Sequence, residues 1–424
     1  MPSTNRPVPG LLAALFIGLA DPLAAAWQSR GEISPEVRVF ADDEDPATRD
    51  RITGIHSRLE GDYRGDDWRL RYAVTGFAAA EEESADRAFV EEAWVGYRPG
   101  PLRLRVGWQV LNWSATEAFH PADVINSVDF NSDFESQDKL GEPLADLGLI
   151  AGDLAVHVLV MPRVTRPVLP APGSRASILP AGSTIGKALW QKKDGRVTPD
   201  LQRSQGALTV EYSGADMDLQ LHYIDHMSRT PGALLLDPAT GRIHPVFYQV
   251  RQTGLTLQWA PGESVIKLEA ADRRFPQRPD ALLNGAPVPT APPDHYAVAV
   301  GVEMGSAHDN GMESTWIVEA QTIGGTSREE RRALDIFQQD VLLGYTLNSG
   351  DTDDTEYSVI IIRDLEEDNQ TMARLRYKTR LSDSWTFTGF FRLIDAEPKD
   401  ETAPAGLEHY HEDHQLGLSL TRWF

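Results

Sequence analysis

Eighteen segments of this chain alternate apolar with polar residues, and the connections between them alternate between short and long. The segments fall near residues 30–40, 51–64, 68–80, 87–98, 102–113, 144–151, 154–164, 205–213, 217–228, 245–259, 264–275, 294–306, 312–324, 339–348, 355–364, 371–381, 385–395 and 409–424. A period of two is the signature of strands with one face apolar. The even-numbered connections are tight turns such as Gly65-Asp66-Asp67, Gly152-Asp153 and Ser382-Asp383-Ser384, rich in the residues that turns require. The odd-numbered ones include the longer stretches 114–143, 165–204, 229–244, 276–293, 325–338 and 396–408. Such sidedness belongs to an antiparallel up-and-down sheet whose short turns all lie at one end. Two short-side turns, 306–311 and 348–355, are longer than ideal and leave a count of sixteen strands open.

The faces are the second constraint. Trp68, Leu70, Tyr72 and Val74 oppose Arg69 and Arg71 in the third segment; Leu102, Leu104, Val106 and Trp108 oppose Arg103 and Arg105 in the fifth. Tyr296, Val298, Val300 and Val302 share one face of the twelfth, and Trp385, Phe387 and Phe391 one face of the seventeenth. A soluble sandwich would bury such faces but would not explain the sidedness of the loops. The expected fold is all-β, a transmembrane antiparallel up-and-down β-barrel, with apolar residues toward lipid and polar ones toward the lumen. A hydrophobic content of 41 % fits, because a barrel carries no long apolar run. The absence of cysteine excludes disulfides and thiolate metal sites, and a net charge of −23 excludes nucleic acid as a partner.

Both ends of the chain agree with this reading. The last strand carries Leu416, Leu418 and Leu420 on one face and finishes on Phe424, which resembles the C-terminal strand that Gram-negative barrel-assembly machinery recognises. It departs at Arg422, where an apolar residue is usual. Arg6, the apolar stretch Leu11 to Ala20 and Ala24-Ala25-Ala26 read as a signal peptide over 1–26, cleaved after Ala26. Residues 27–424 are then the barrel, destined for the outer membrane, with its lipid and lipopolysaccharide as surroundings.

A barrel of sixteen to eighteen strands encloses water, so function belongs to the inward faces. The sixteenth strand presents Arg374, Arg376, Lys378 and Arg380 on alternate positions. With Arg392, Arg38, Arg58, Arg69, Arg71, Arg103 and Arg105, on strands that become neighbours on closure, they form a pore-lining basic arc. Glu211, Glu269, Glu303 and Glu319 lie on the opposing strands. Arginine keeps its charge and grips carboxylate or phosphate in a fork, so such an arc attracts anions. The competing reading is that each arginine pairs with an inward carboxylate and braces the wall.

The most distinctive local sequence runs from Gly107-Trp108-Gln109 through Trp113 to Pro121, Asp123 and Asn126. It resembles a segment of porin-like outer-membrane barrels, including uncharacterised families and polysaccharide-export barrels, in which Gly-x-Gln and Trp end a strand and lead into a loop with Pro-x-Asp. Ser114 and His120 depart from that pattern. The loop mixes apolar anchors such as Phe119, Ile125 and Phe134 with the acids Glu117, Asp123, Asp129, Asp133 and Glu135. That mixture predicts a constriction folded into the lumen with its acids toward the arc; an outward lid is the alternative. The Pro-rich loop 165–204 reads as an extended cover over the mouth.

The expected function is a passive channel for small hydrophilic, anionic solutes, with no enzymatic chemistry and no cofactor. The alternative is an export conduit for an acidic polysaccharide. An outer-membrane enzyme would have to rest on His222, His226 and Asp225, which lack a nucleophile. On a strand, His409, His411 and Asp413 would share a face, with His414 beside them; a polar strand end is the favoured reading over a metal site. Nothing in the sequence marks an oligomer face.

Overall fold

The computed structural model describes residues 27–41, 50–80, 85–135, 137–177, 179, 182–192, 194–276, 281–367, 370–398, 406–411 and 413–424. The expected leader, 1–26, lies outside the described residues.

The alternating pattern becomes eighteen strands: β1 (Trp27–Phe40), β2 (Arg51–Arg64), β3 (Trp68–Ala79), β4 (Arg87–Tyr97), β5 (Leu102–Gln109), β6 (Glu142–Ala151), β7 (Leu154–Arg163), β8 (Gln202–Ser213), β9 (Met217–Met227), β10 (Gln249–Trp259), β11 (Ser264–Arg274), β12 (His295–Ala307), β13 (Glu313–Gly324), β14 (Gln339–Asn348), β15 (Glu356–Asp364), β16 (Thr371–Ser382), β17 (Trp385–Asp395) and β18 (Gln415–Trp423). Each pairs antiparallel with its neighbours in the chain, and β18 pairs back onto β1 from Glu32↔Trp423 to Phe40↔Gln415. Closure leaves no unpaired edge, the condition for a sheet in hydrocarbon. The last residue takes part: Gly31 N donates to Phe424 O at 2.8 Å and Phe424 N to Gly31 O at 3.0 Å. The two longer turns remain turns, bridged by His308 N to Met312 O (2.8 Å) and Ser349 N to Thr355 O (2.9 Å), which fixes the count at eighteen.

The apolar faces point away from the lumen. Val106, Val300 and Leu375 are 51, 48 and 52 % exposed, values a soluble core would not tolerate along whole strands and that lipid would cover. The opposite faces pack against the loop that follows β5.

Some segments depart from the expected layout. The segment expected as one strand over 245–259 breaks at Tyr248: Arg242–Phe247 leaves the barrel and pairs with Ala233–Asp237 and Leu189–Gln191, and Val197–Thr198 completes a separate four-stranded sheet. The Trp190 ring stacks on Phe247 at 4.3 Å and anchors this sheet. The loop 165–204 is therefore not wholly extended. The segment expected as strand from 409 is instead a 3-10 turn, Gly406–Tyr410, and pairing begins at Gln415. A short helix, α1 (Arg328–Arg332), starts at a capping box in which Ser327 and Glu330 satisfy each other's backbone N–H.

Candidate constriction and pore wall

The loop between β5 and β6 crosses to the far wall. Gly107 has φ +137°, and a side chain there would stand 2.2 Å from the Ala93 carbonyl, so the motif's first glycine is required by close approach. Asn126 ties the two ends of the loop together: its Oδ1 accepts from Leu111 N and its Nδ2 donates to the Gln109 and Leu140 carbonyls, each at 2.9 Å. On the far side, Glu269 of β11 accepts from Ala115 N (2.6 Å), Thr116 N (3.0 Å), Thr116 Oγ1 (2.7 Å) and Ala122 N (3.2 Å). Glu319 of β13 accepts from Glu117 N (2.6 Å) and Ala118 N (3.0 Å). Wall donors take the loop's carbonyls in turn, Arg273 that of Pro121 at 2.8 Å and Gln252 that of Ala122 at 3.0 Å. Mid-strand side chains thus satisfy an irregular backbone, which is how such a segment is held within a barrel.

The acids of this loop go to three destinations. Asp133 and Glu135 meet the arc: Arg392 contacts both carboxylates and Arg374 lies 3.2 Å from Glu135. Burial pushes both carboxyls up; Arg392 and Arg38 outweigh it at Asp133, whose pKa falls, whereas Glu135 stays raised. Asp129 pairs with Arg87 of β4, and burial holds its carboxyl above the ordinary range. Asp123 pairs within the loop, with Lys139, and Glu117 reaches the opposite wall, 2.6 Å from Lys267. Phe119 packs with Phe337, Met372, Ile394 and Leu407, and Phe134 stacks on Tyr410 at 4.4 Å.

Along the arc, pairing dominates. Arg58 lies 2.8 Å from both Glu60 and Glu91; Arg71 meets Glu60 at 3.4 Å and also Glu92; Arg69 meets Asp62 at 2.7 Å, Arg105 meets Asp146 at 2.8 Å, and Arg38 meets Glu36 at 3.4 Å. Arg376 lies 3.5 Å from Glu356, and Arg380 contacts Asp354 of the adjoining turn. Among the described residues, Arg103 and Lys378 have no carboxylate at ion-pair distance. Glu91 and Glu92 are consecutive yet both meet lumen arginines, because β4 carries one extra residue where Ala73 pairs with Glu92 and Val74 with Val90. Two adjacent acids in an otherwise alternating strand were the sequence signal for that bulge.

Of the opposing acids, Glu303 pairs with Lys267, and Glu211 lies 4.0 Å from His157. Lys267 and Arg273 make that wall less purely acidic than the sequence suggested. His222 and His226 are buried, whereas Asp225 is half-exposed beside Arg251. His411 Nδ1 lies 2.8 Å from the Glu408 carbonyl, Asp413 pairs with Arg175 at 2.7 Å, and the Ile394 amide donates to His414 Nδ1 at 3.1 Å. The expected shared face of His409, His411 and Asp413 is lost with the strand. Between the loop at Asp133 and Phe134 and the wall lies a cavity of about 80 Å³, lined also by Arg38, Arg87, Arg175 and Arg392.

No family model matches the chain, and no curated protein matches it. Among solved structures, OccK11 (OpdR) of Pseudomonas aeruginosa matches with a TM-score of 0.52 at 10 % identity, covering 94 % of this chain and 96 % of that one. The chain has the fold of an outer-membrane porin. OccK3 (OpdO) of the same organism follows, with a TM-score of 0.49 at 9 % identity, covering 95 % of this chain and 96 % of that one.

Proposed function

We propose that the chain is an outer-membrane channel for passive diffusion of small hydrophilic solutes, with a preference for anions. The observation that supports it is the column on β16, where Arg376 and Lys378 lie below the docked loop and are not consumed by it, as Arg374 and Arg392 are. Guanidinium and ammonium groups beside water, flanked by low-dielectric walls, raise the local concentration of anions. The loop bound across the lumen by Glu269 and Glu319 favours small solutes over a polymer, so the export-conduit reading ranks second. The enzyme reading loses its constellation, since Asp225 is directed to Arg251 and away from the two buried histidines. Cleavage after Ala26, recognition of the last strand by assembly machinery and contact with lipopolysaccharide belong to the same proposal.

Planar-bilayer recording tests it. In asymmetric salt the reversal potential should report anion preference, and Arg376→Glu with Arg380→Glu should move it toward cations, strongly at low salt and weakly at high salt. A cation-selective wild-type channel, or a reversal potential indifferent to the double variant, would remove the anion preference; a non-conducting barrel would remove the channel.

A further inference from the structure

Below the docked loop the wall between β16 and β1 changes character. Phe390 of β17 lies over Gly417 of β18, where a side chain would stand 2.1 Å from the ring, and the Arg392 guanidinium stands 5.8 Å from the ring centroid. Glycine there lets the ring rest against the wall, half-buried, while Arg376 occupies the paired position on β16. One row toward the short turns, about 7 Å along the strands, Lys378 pairs across to Thr388, and Thr388 to Ser419. The row after that holds Thr421, whose hydroxyl meets that of Ser34 at 3.0 Å. The wall therefore offers, side by side, an apolar ring, the cations Arg376 and Lys378 and a strip of hydroxyls, beneath a loop whose Asp133 and Glu135 are occupied by Arg392 and Arg374. Two wall carboxylates flank the patch: Glu356, across from Lys378 and 3.5 Å from Arg376, and Glu36, across from Ser419 and 3.4 Å from Arg38.

Each part serves a different portion of one solute. An aromatic face takes the C–H face of a saturated ring, where its quadrupole is complementary to the weakly positive hydrogens. Serine and threonine hydroxyls both donate and accept, matching alcohols that do the same. Lys378, which among the described residues has no carboxylate at ion-pair distance, takes an anionic group through charge-assisted hydrogen bonds, and Arg376, shared with Glu356 at 3.5 Å, adds its charge beside it. The geometry points to a subsite for a pyranose-sized, polyhydroxylated ring carrying a single anionic substituent, carboxylate or phosphate. This rests on the channel reading and narrows it: a bare carboxylate would use only the cations, and a neutral sugar only the ring and the hydroxyls.

The test is current block in planar bilayers by glucuronate, glucose 6-phosphate, glucose and acetate at equal concentration. Either or both anionic sugars should block on the order of tenfold more tightly than glucose or acetate, a difference of about 1.4 kcal/mol. Which of the two blocks assigns the anionic group. Lys378→Gln should weaken the anionic sugars and leave glucose unchanged; Phe390→Leu, which keeps an apolar side chain over Gly417, should weaken the sugars while preserving chloride conductance. Heat-modifiable migration of each variant confirms assembly. Acetate or glucose blocking as tightly as the anionic sugars, or block unaffected in both assembled variants, would overturn the subsite while leaving the channel standing. A barrel that conducts nothing would remove the channel reading and the subsite with it.

Discussion

Glu269 shows how much one side chain on a strand can decide. Its carboxylate accepts four donors from a loop that begins on β5; the Thr116 hydroxyl also reaches the Phe119 carbonyl, but the Ala115, Thr116 and Ala122 amides have no other partner among the described residues. Glu269→Ala should strand them at roughly 1–3 kcal/mol each, enough to release the segment 115–122 from the wall. Glu269→Gln keeps one acceptor oxygen but turns an amide against some of the donors, so it should fall between. Raised single-channel conductance and new protease sites within 110–141 would report release; wild-type conductance and protection in Glu269→Ala would show that Glu319, Arg273 and Gln252 hold the loop without it. The residue type at 269 was readable in the sequence, where alternation turned it inward. Its role was not, because its partners lie about 150 positions earlier in the chain. The same holds for Glu60, which gathers Arg30, Arg58 and Arg71 from three adjacent strands. Which arginine is neutralised depends on register and on a single bulge, and neither appears in an alternating pattern.

At the scale of the docked loop, proton linkage has a definite sign. His120 lies 3.6 Å from Glu269; burial works against its charge, but Glu269 and Asp123 outweigh it, and its pKa rises above the ordinary 6.5. Asp123 and Glu135 are raised from 3.8 and 4.5, by burial that exceeds the pull of Lys139 and Arg392 respectively. All three groups hold protons more tightly when the loop is docked, so acidification favours docking. The His120 contribution is complete below its ordinary value and fades as pH rises through the raised one; Asp123 and Glu135 add theirs as pH falls through their raised values. Asp133, held down by Arg392 and Arg38 against burial, opposes docking only once pH falls below 3.8. Backbone amides of 115–135 should therefore gain protection against hydrogen exchange between about pH 7.5 and pH 5.5 once intrinsic rates are corrected, and conductance should not increase. Loss of protection over that interval would reverse the sign. Strands and tight turns were legible because period-two faces and Gly, Pro and Asp are local signals. The break at Tyr248 and the turn at Gly406–Tyr410 were not, because at each tertiary packing redirects the chain: Val246 and Phe247 bury themselves against the separate four-stranded sheet, and Leu407 in the core around Phe119.

For the whole molecule the critical contact is the seam. Every other strand pair is joined by a connection in the chain, but β1 and β18 meet only by pairing, and their residues are nearly the full chain length apart. Closing such a loop carries the largest entropic cost in the barrel, so the seam needs compensation that a hairpin does not. Phe424 supplies it twice: its backbone exchanges two hydrogen bonds with Gly31, and its ring lies 2.5 Å from where a Gly31 side chain would begin, covering a bare stretch of β1. Deleting Phe424 removes both contributions and exposes the end of β1 as an unpaired edge. Gly31→Val keeps the backbone pairing but drives the ring off the seam. Deletion should abolish heat-modifiable migration, the mark of a closed barrel, and leave unassembled chain; Gly31→Val should still close but lose the compact band at a lower temperature than the parent protein. If both behaved as the parent does, the seam would be held by the pairs from Glu32 to Phe40 alone, and the terminal aromatic would have no part in the stability of the finished barrel.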